Sequence, residues 1–276
     1  MNLTTYLKRR QTLVNQALSR LLPVAGQGPG KIHRAMRYSV LGDGKRIRPI
    51  LTLAACEAVG APASRSLDAA CALEMIHAYS LVHDDLPAMD DDDFRRGKPS
   101  CHKRFGEAIG VLTGDALLTH AFGLLSRMGT QNGHAGMRLR VIQEVARAIG
   151  TEGMLGGQVA DLQASTGRVT AQTLESINTR KTGALIAASV RVGALLGGAS
   201  PSAYRALARY GERVGLVFQL VDDLLDKDGL VRCQPEETVR GRAKRLTREA
   251  VAALKPLGRR AEPLRKLAQF LLTRGS

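Results

Sequence analysis

A chain of 276 residues with 44% hydrophobic and 24% charged residues has the balance of a soluble globular protein with a sizeable core. Its formal charge of +15 invites a nucleic-acid or anionic-membrane partner, but aromatics are only 4% and tryptophan is absent, so stacking platforms for single-stranded nucleic acid are hard to assemble. Four cysteines, Cys56, Cys71, Cys101 and Cys233, form no CxxC pair and no zinc spacing, which leaves a reducing, cytoplasmic location as the expectation.

Taken in chain order, the predicted elements are helices. The N-terminal stretch MNLTTYLKRRQTLVNQAL lacks the apolar centre of a signal peptide. Apolar residues then recur three and four apart in Tyr6–Leu22, Ile50–Val59, Leu67–His83, Glu107–Met128, Met137–Ala148, Thr173–Leu196 and Ala203–Leu225, and less cleanly in Val239–Leu272. Breaks fall at Gly42-Asp43-Gly44, Gly60-Ala61-Pro62, Gly97-Lys98-Pro99 and Gly197 to Pro201. Alternating strand patterns are absent. No uninterrupted apolar run has membrane-spanning length, and no linker divides the chain. The fold expected is all-α: residues 1–276 as a single-domain helical bundle around a central cavity.

Charge is distributed unevenly. From Lys227 to Ser276 there are thirteen Lys/Arg against five Asp/Glu, which reads as a solvated basic face. From Asp84 to Asp93, six of ten residues are aspartate. Asp84 and Asp85 fall at the C-terminal end of an apolar helix, where the helix dipole disfavours acids. Pro87 cannot continue that helix, so the chain must loop and Asp90 can swing back toward Asp84. Crowded carboxylates of this kind suit a hard divalent cation with oxygen ligands. In a second cluster, Asp222 and Asp226 share a helix face, with Gln219 on the same side and Asp223 turned roughly 100° away. Either cluster alone reads equally as a solvated acidic turn or helix end. Two of them, each flanked by apolar helix, point to metal ions bridging a diphosphate.

At this point the sequence resembles the trans-prenyl diphosphate synthases, most closely the short-chain bacterial farnesyl diphosphate synthases. The likeness rests on six ordered motifs: Gly44–Pro49, Glu74–Ser80, Asp84–Gly97, Gly157–Leu162, Lys181–Gly183 and Phe218–Asp226. It implies an isoprenoid synthase fold, a magnesium cofactor, small-molecule isoprenoid diphosphates as partners, no nucleic-acid or membrane partner, and a homodimer. Carried over residue by residue, it assigns isopentenyl diphosphate to Lys45, Arg48, His77 and Arg96. The allylic diphosphate goes to Arg95, Lys181, Thr182 and Gln219. Asp84, Asp90 and Asp222 match the magnesium ligands, with Asp85 and Asp226 as supporting carboxylates. Asp84, Asp90, Arg95, Lys181 and Asp222 together make the catalytic set. Gln158 and Asp161 resemble a pair near the reacting carbons. Gly183 would let its helix kink.

The chemistry implied is ionisation of the allylic diphosphate, attack by the double bond of isopentenyl diphosphate, and proton loss to the departed pyrophosphate. An apolar, closed cavity would keep water from the cation. Tyr79 and Ser80, about one turn before Asp84, are placed to floor that cavity and limit product length. The chain departs from the family after Asp226. It reads Lys227 to Pro235 without the usual longer lysine-bearing loop, and Lys227 and Arg232 are the nearby substitutes. Farnesyl diphosphate is the expected product. A geranyl or geranylgeranyl diphosphate synthase and a weakly active regulatory subunit remain as alternatives. A terpene cyclase would not need Lys45, Arg48 and Arg96, and a nucleic-acid binder rests on charge alone.

Overall fold

The computed structural model describes residues 1–128, 135–164 and 170–273, and these are helical nearly throughout. In chain order the helices are α1 (Leu3–Leu21), α2 (Gly30–Leu41), α3 (Ile47–Ala58), α4 (Leu67–Asp84), α5 (Cys101–Phe105), α6 (Glu107–Arg127) and α7 (Ala135–Ile149). They continue with α8 (Met154–Ala164), α9 (Ala171–Asn178), α10 (Ala184–Gly197), α11 (Pro201–Asp226), α12 (Glu236–Ala253) and α13 (Glu262–Thr273). The sole strands among the described residues are β1 (Phe94–Arg95) and β2 (Lys98–Pro99), a small antiparallel hairpin that the sequence pattern does not announce. Its turn is made by Arg96 and Gly97, both at positive φ.

The chain forms two compact units. One comprises Leu7–Ile50 and Leu67–Arg138, the other Met1–Tyr6, Leu51–Ser66 and Leu139–Ser276.

In the first unit, α4 is apolar on nearly every side and is buried from Ala69 to Ile76, as a central helix should be. It packs along α6. The approach is close because Gly114 has no side chain: a Cβ there would overlap the His83 ring. Among the described helices, α6 has the length and apolar composition to cross a membrane, although Glu107, Asp115 and Arg127 interrupt its apolar run. Its Leu117, Ala121 and Leu125 are buried, while Val111 and Leu112 stay exposed.

In the second unit, the turn that leads into α10 meets α11 where Gly183 and Gly215 bring the two backbones together, a Cβ on Gly215 lying 3.0 Å from Gly183. Ser200 caps α11 by accepting from the Ala203 amide at 3.3 Å, with Pro201 in the first turn. The Tyr210 hydroxyl donates to the Leu264 carbonyl at 2.7 Å and ties α11 to α13. Val217, Leu220, Val221, Val239, Ala243 and Leu246 form the apolar seam between α11 and α12. The helical region over 239–272, whose period is less clean in the sequence, is α12 and α13, separated by a 3-10 stretch, Lys255–Ala261, in which Gly258 takes φ 58°.

Candidate active site

In the first unit, the end of α4 behaves as Pro87 requires. The Asp90 amide donates to the Asp84 carbonyl at 2.8 Å, closing the loop and returning Asp90 to the foot of the helix. Asp84 is half-buried and Asp90 exposed. Their hard oxygen donors on one tight loop are the donor set a small divalent cation selects. Asp85 is different. It is only 2% exposed and takes Arg95 Nε on Oδ1 at 2.8 Å, with Arg95 Nη2 on the same oxygen. Arg95 Nη2 also reaches Asp92 Oδ2 at 2.8 Å. Burial pushes the Asp85 carboxyl above the ordinary carboxylate range, and the guanidinium pulls it part of the way back.

The four residues expected to hold isopentenyl diphosphate all belong to this unit. Lys45 is exposed beside the Gly42–Gly44 turn, and Arg48 is half-buried in the first turn of α3. Arg96, on the hairpin turn, donates to the Asp43 carbonyl at 2.7 Å. His77 lies on α4. Burial first, and then the charges of Arg48, Arg96, Arg46 and Arg95, hold its pKa well below the ordinary value. His77 therefore offers a neutral imidazole, not the cation that a diphosphate ligand suggests. A cavity of about 60 Å³ opens beside this group, lined by Asp43, Ala78, Asp85, Arg95, Arg96 and Cys101.

Tyr79 is buried one turn back from Asp84, its ring edge-on to His83 with centroids 5.8 Å apart. Its hydroxyl has no hydrogen-bond partner among the described residues. Burial and the nearby Asp84 push the phenol up to about 12. The half-buried Ser80 returns its hydroxyl to the His77 carbonyl at 2.9 Å.

In the second unit, Lys181 and Thr182 sit on a π-helical turn, Thr179–Gly183, between α9 and α10. A π-helical turn is wider than an ordinary helical turn and is one of the places where helices bend. A Cβ on Gly157 would overlap the Lys181 amide, so α8 lies directly on this turn. Lys181 Nζ is bonded to Asp161 Oδ2 at 2.6 Å. Gln158, on the same helix as Asp161, is 9% exposed, and its amide nitrogen has no partner among the described residues.

Asp222 is half-buried and Asp226 exposed on α11. Gln219 was expected on the face of Asp222. It donates to Asp223 Oδ1 at 3.0 Å, one turn on, a position that neighbours Asp222 as well. Asp223 is 5% exposed and accepts from the Leu230 amide at 3.1 Å and Asn178 Nδ2 at 3.3 Å. Burial raises its carboxyl above the ordinary range. The short segment after α11 is pinned through this residue. Lys227 is exposed, and Arg232 is committed to Asp228 at 2.7 Å.

Sequence reasoning did not foresee that Asp91, Asp93 and His102 bring ligand-type atoms within 4.8 Å of one another. Lys103 already neutralises Asp93 at 2.7 Å. It also gave no role to Asn178, which only the three-dimensional path of the chain brings to Asp223.

The profile of the polyprenyl synthetase family matches residues 29–231. The chain is 45% identical over 229 residues to a farnesyl diphosphate synthase of Geobacillus stearothermophilus, covering 83% of this chain and 77% of that protein. It is 47% identical over 227 residues to a geranylgeranyl diphosphate synthase of Cyanophora paradoxa, covering 82% and 74%. Among solved structures, an FPP/GFPP synthase from Zymomonas mobilis superposes with a TM-score of 0.92 at 37% identity, covering 98% of this chain and 99% of that one.

Proposed function

Because this chain belongs to the polyprenyl synthetase family, we propose that it is a prenyltransferase joining isopentenyl diphosphate head-to-tail to dimethylallyl or geranyl diphosphate, with farnesyl diphosphate as the product. Proteins named farnesyl diphosphate synthase stand among its relatives at about 45% identity, which supports that product. The observation that carries the reading is the closed Asp84–Asp90 loop, with Arg95 fixed beside it by Asp85 and Asp92.

We assign magnesium to Asp84, Asp90 and Asp222, whose hard oxygens suit it. Bound there, it would supply Lewis-acid neutralisation of the diphosphate as the allylic C–O bond breaks. The chain's own groups do the rest. Arg95, Lys181, Thr182 and Gln219 bind and orient the allylic diphosphate. Lys45, Arg48 and Arg96 neutralise the diphosphate of the second substrate, and His77 adds a neutral N–H. No side chain is assigned as general base. Gln158 and Asp161 line the reacting carbons, and Asp85 and Asp226 stand behind the metal ligands. Tyr79 and Ser80 set the depth available to the growing tail. Residues 1–276 act as one functional domain, since both units carry motifs of the same reaction.

The protein works in the cytoplasm on small isoprenoid diphosphates, with no nucleic-acid or membrane partner. It pairs as a homodimer, and the exposed Val111 and Leu112 on α6 offer an apolar face for a second copy. A second reading, a geranylgeranyl synthase, is favoured by the 47% identity to the Cyanophora enzyme. A weakly active regulatory subunit is favoured by the short, pinned segment after α11.

One assay decides among these. The purified chain is given isopentenyl diphosphate, each allylic diphosphate in turn and magnesium, and product length is read by chromatography. A fifteen-carbon product is expected. A twenty-carbon product moves the assignment to the second reading, and no product from any starter moves it to the regulatory one. Chelation should abolish turnover and magnesium should restore it.

A further inference from the structure

Arg46 belongs to the Gly44–Pro49 motif, no substrate role absorbs it, and its side chain makes four hydrogen bonds. It is 3% exposed and sits at φ 52°, in the left-handed region. Its Nε donates to Asn15 Oδ1 at 2.9 Å, and Nη1 donates to Glu74 Oε1 at 2.8 Å. Nη2 donates to the Val40 carbonyl at 2.9 Å and the Gly42 carbonyl at 2.7 Å. One guanidinium thus joins α1, the end of α2 and α4.

The turn it grips carries the substrate cations. Three consecutive carbonyls are each held by a different side chain. Gly42 is held by Arg46, Asp43 by Arg96 at 2.7 Å, and Gly44 by Gln11 Nε2 at 2.8 Å. Gly44 is wedged between two guanidinium groups: a Cβ there would lie 2.7 Å from Arg96 Nη1 and 2.8 Å from Arg46 Nη1. Lys45 follows directly, and Arg48 lies in the first turn of the next helix. Such a concentration of positive charge repels itself unless a buried acid offsets it. Glu74, 4% exposed, is the acid bonded to Arg46.

We propose that Arg46, neutralised by Glu74, is a positioning residue for the diphosphate of isopentenyl diphosphate, holding the Gly42–Lys45 turn so that Lys45, Arg48 and Arg96 converge. This rests on the reading of those three residues as the isopentenyl diphosphate group. Arg46 itself touches no substrate, because four of its five N–H donors are directed to protein oxygens and the side chain is buried. Lysine cannot replace it, since a single ammonium cannot span a carboxylate, a side-chain amide and two carbonyls.

The test compares wild type with Arg46→Lys, Gly44→Ala and Lys45→Ala. Titration calorimetry reads the binding of isopentenyl diphosphate and, separately, of geranyl diphosphate, and steady-state assays read KM and kcat. Arg46→Lys keeps the charge and removes the fork. Gly44→Ala keeps every charge and pushes the two guanidiniums apart, so it serves even if the first variant does not fold. Both should weaken isopentenyl diphosphate by about ten- to a hundredfold, the loss of one charge-assisted hydrogen bond. Geranyl diphosphate affinity and kcat should stay within about threefold, a split that general loosening of the fold would not produce. If Lys45→Ala weakens isopentenyl diphosphate but Gly44→Ala and any folded Arg46→Lys bind like wild type, the role of Arg46 is refuted. The same holds if both diphosphates weaken equally. If Lys45→Ala also binds like wild type, the reading of the turn as the substrate site fails, and the proposal with it.

Discussion

The two Asp-Asp pairs look alike in the sequence and are divided alike in the structure. In each, the first aspartate is half-buried (Asp84, Asp222) and the second is buried (Asp85, Asp223). What differs is the partner of the buried one. Asp85 is met by the Arg95 guanidinium, whereas Asp223 is met by an amide side chain, a backbone N–H and Asn178. Desolvation raises both carboxyls, but only the first has a cation to oppose it. A motif spelled with two identical letters therefore separates into one acid facing outward and one acid that anchors neighbouring chain. The anchor in the first unit orients a cation, and the one in the second holds a loop.

The sharpest way to break this division is to remove the outward acids. Asp84→Asn and Asp222→Asn should each lower kcat by about two to three orders of magnitude, as expected when charge stabilisation at a reacting centre is lost. Their melting temperatures should stay close to wild type. A loss of fold in place of turnover would place these residues with the anchors.

Beneath the first pair lies Tyr79, buried about one turn back from Asp84, which the second comparison uses. Tyr79→Ala should lengthen the product by at least one five-carbon unit, read by chromatography. Unchanged length would remove Tyr79 from the cavity floor.

The anchors come next. Asp85→Asn strips the buried counter-ion from Arg95 and should cost about 2–3 kcal/mol in chemical denaturation. Asp223→Asn keeps shape and loses only the charge on bonds from neutral donors, for about 1 kcal/mol. Equal losses would show that the identity of the partner does not matter.

His77 tests the electrostatics of the first unit alone. Its folded pKa is depressed, so the unfolded chain binds more protons in the window between that depressed value and about 6.5. Stability therefore rises with pH through the window and is lost as pH falls below about 6.5. In His77→Gln this part of the acid destabilisation should vanish, seen as a smaller drop in Tm between neutral and mildly acidic buffer. The smallest effect belongs to Arg232→Ala. Its pair with Asp228 is exposed on both sides, so stability should change by less than about 0.5 kcal/mol.

Most of the helices were legible because burial imposes a period. Glu107–Met128 and Ala203–Leu225 match α6 and α11 to within two residues at each end. α2 escaped notice because Gly30–Leu41 mixes basic and apolar residues and begins after a Gly-Pro turn. The hairpin escaped because two-residue strands carry no period. The period over Val239–Leu272 is less clean because the region is two helices with a break that includes Gly258, whose positive φ no hydropathy pattern records. Within the site, the outward acids and their looping proline were readable as composition and spacing. The destination of Gln219 was not. Residues three and four apart on a helix are both neighbours, and only the packing of Leu230 and Asn178 around Asp223 decides which acid the amide joins.

The missing side chain at Gly157 has a consequence of another kind. Helix α8 rests backbone to backbone on the π-turn that carries Lys181, so no intervening side chain can absorb a change in spacing. Position 157 works as a shim of minimum thickness. A single methyl group there would displace the ammonium of Lys181 while leaving its charge, its pairing partner Asp161 and its exposure to solvent formally intact. Under the role proposed for Lys181, thickness alone then sets where that cation sits, at a residue that has no functional group.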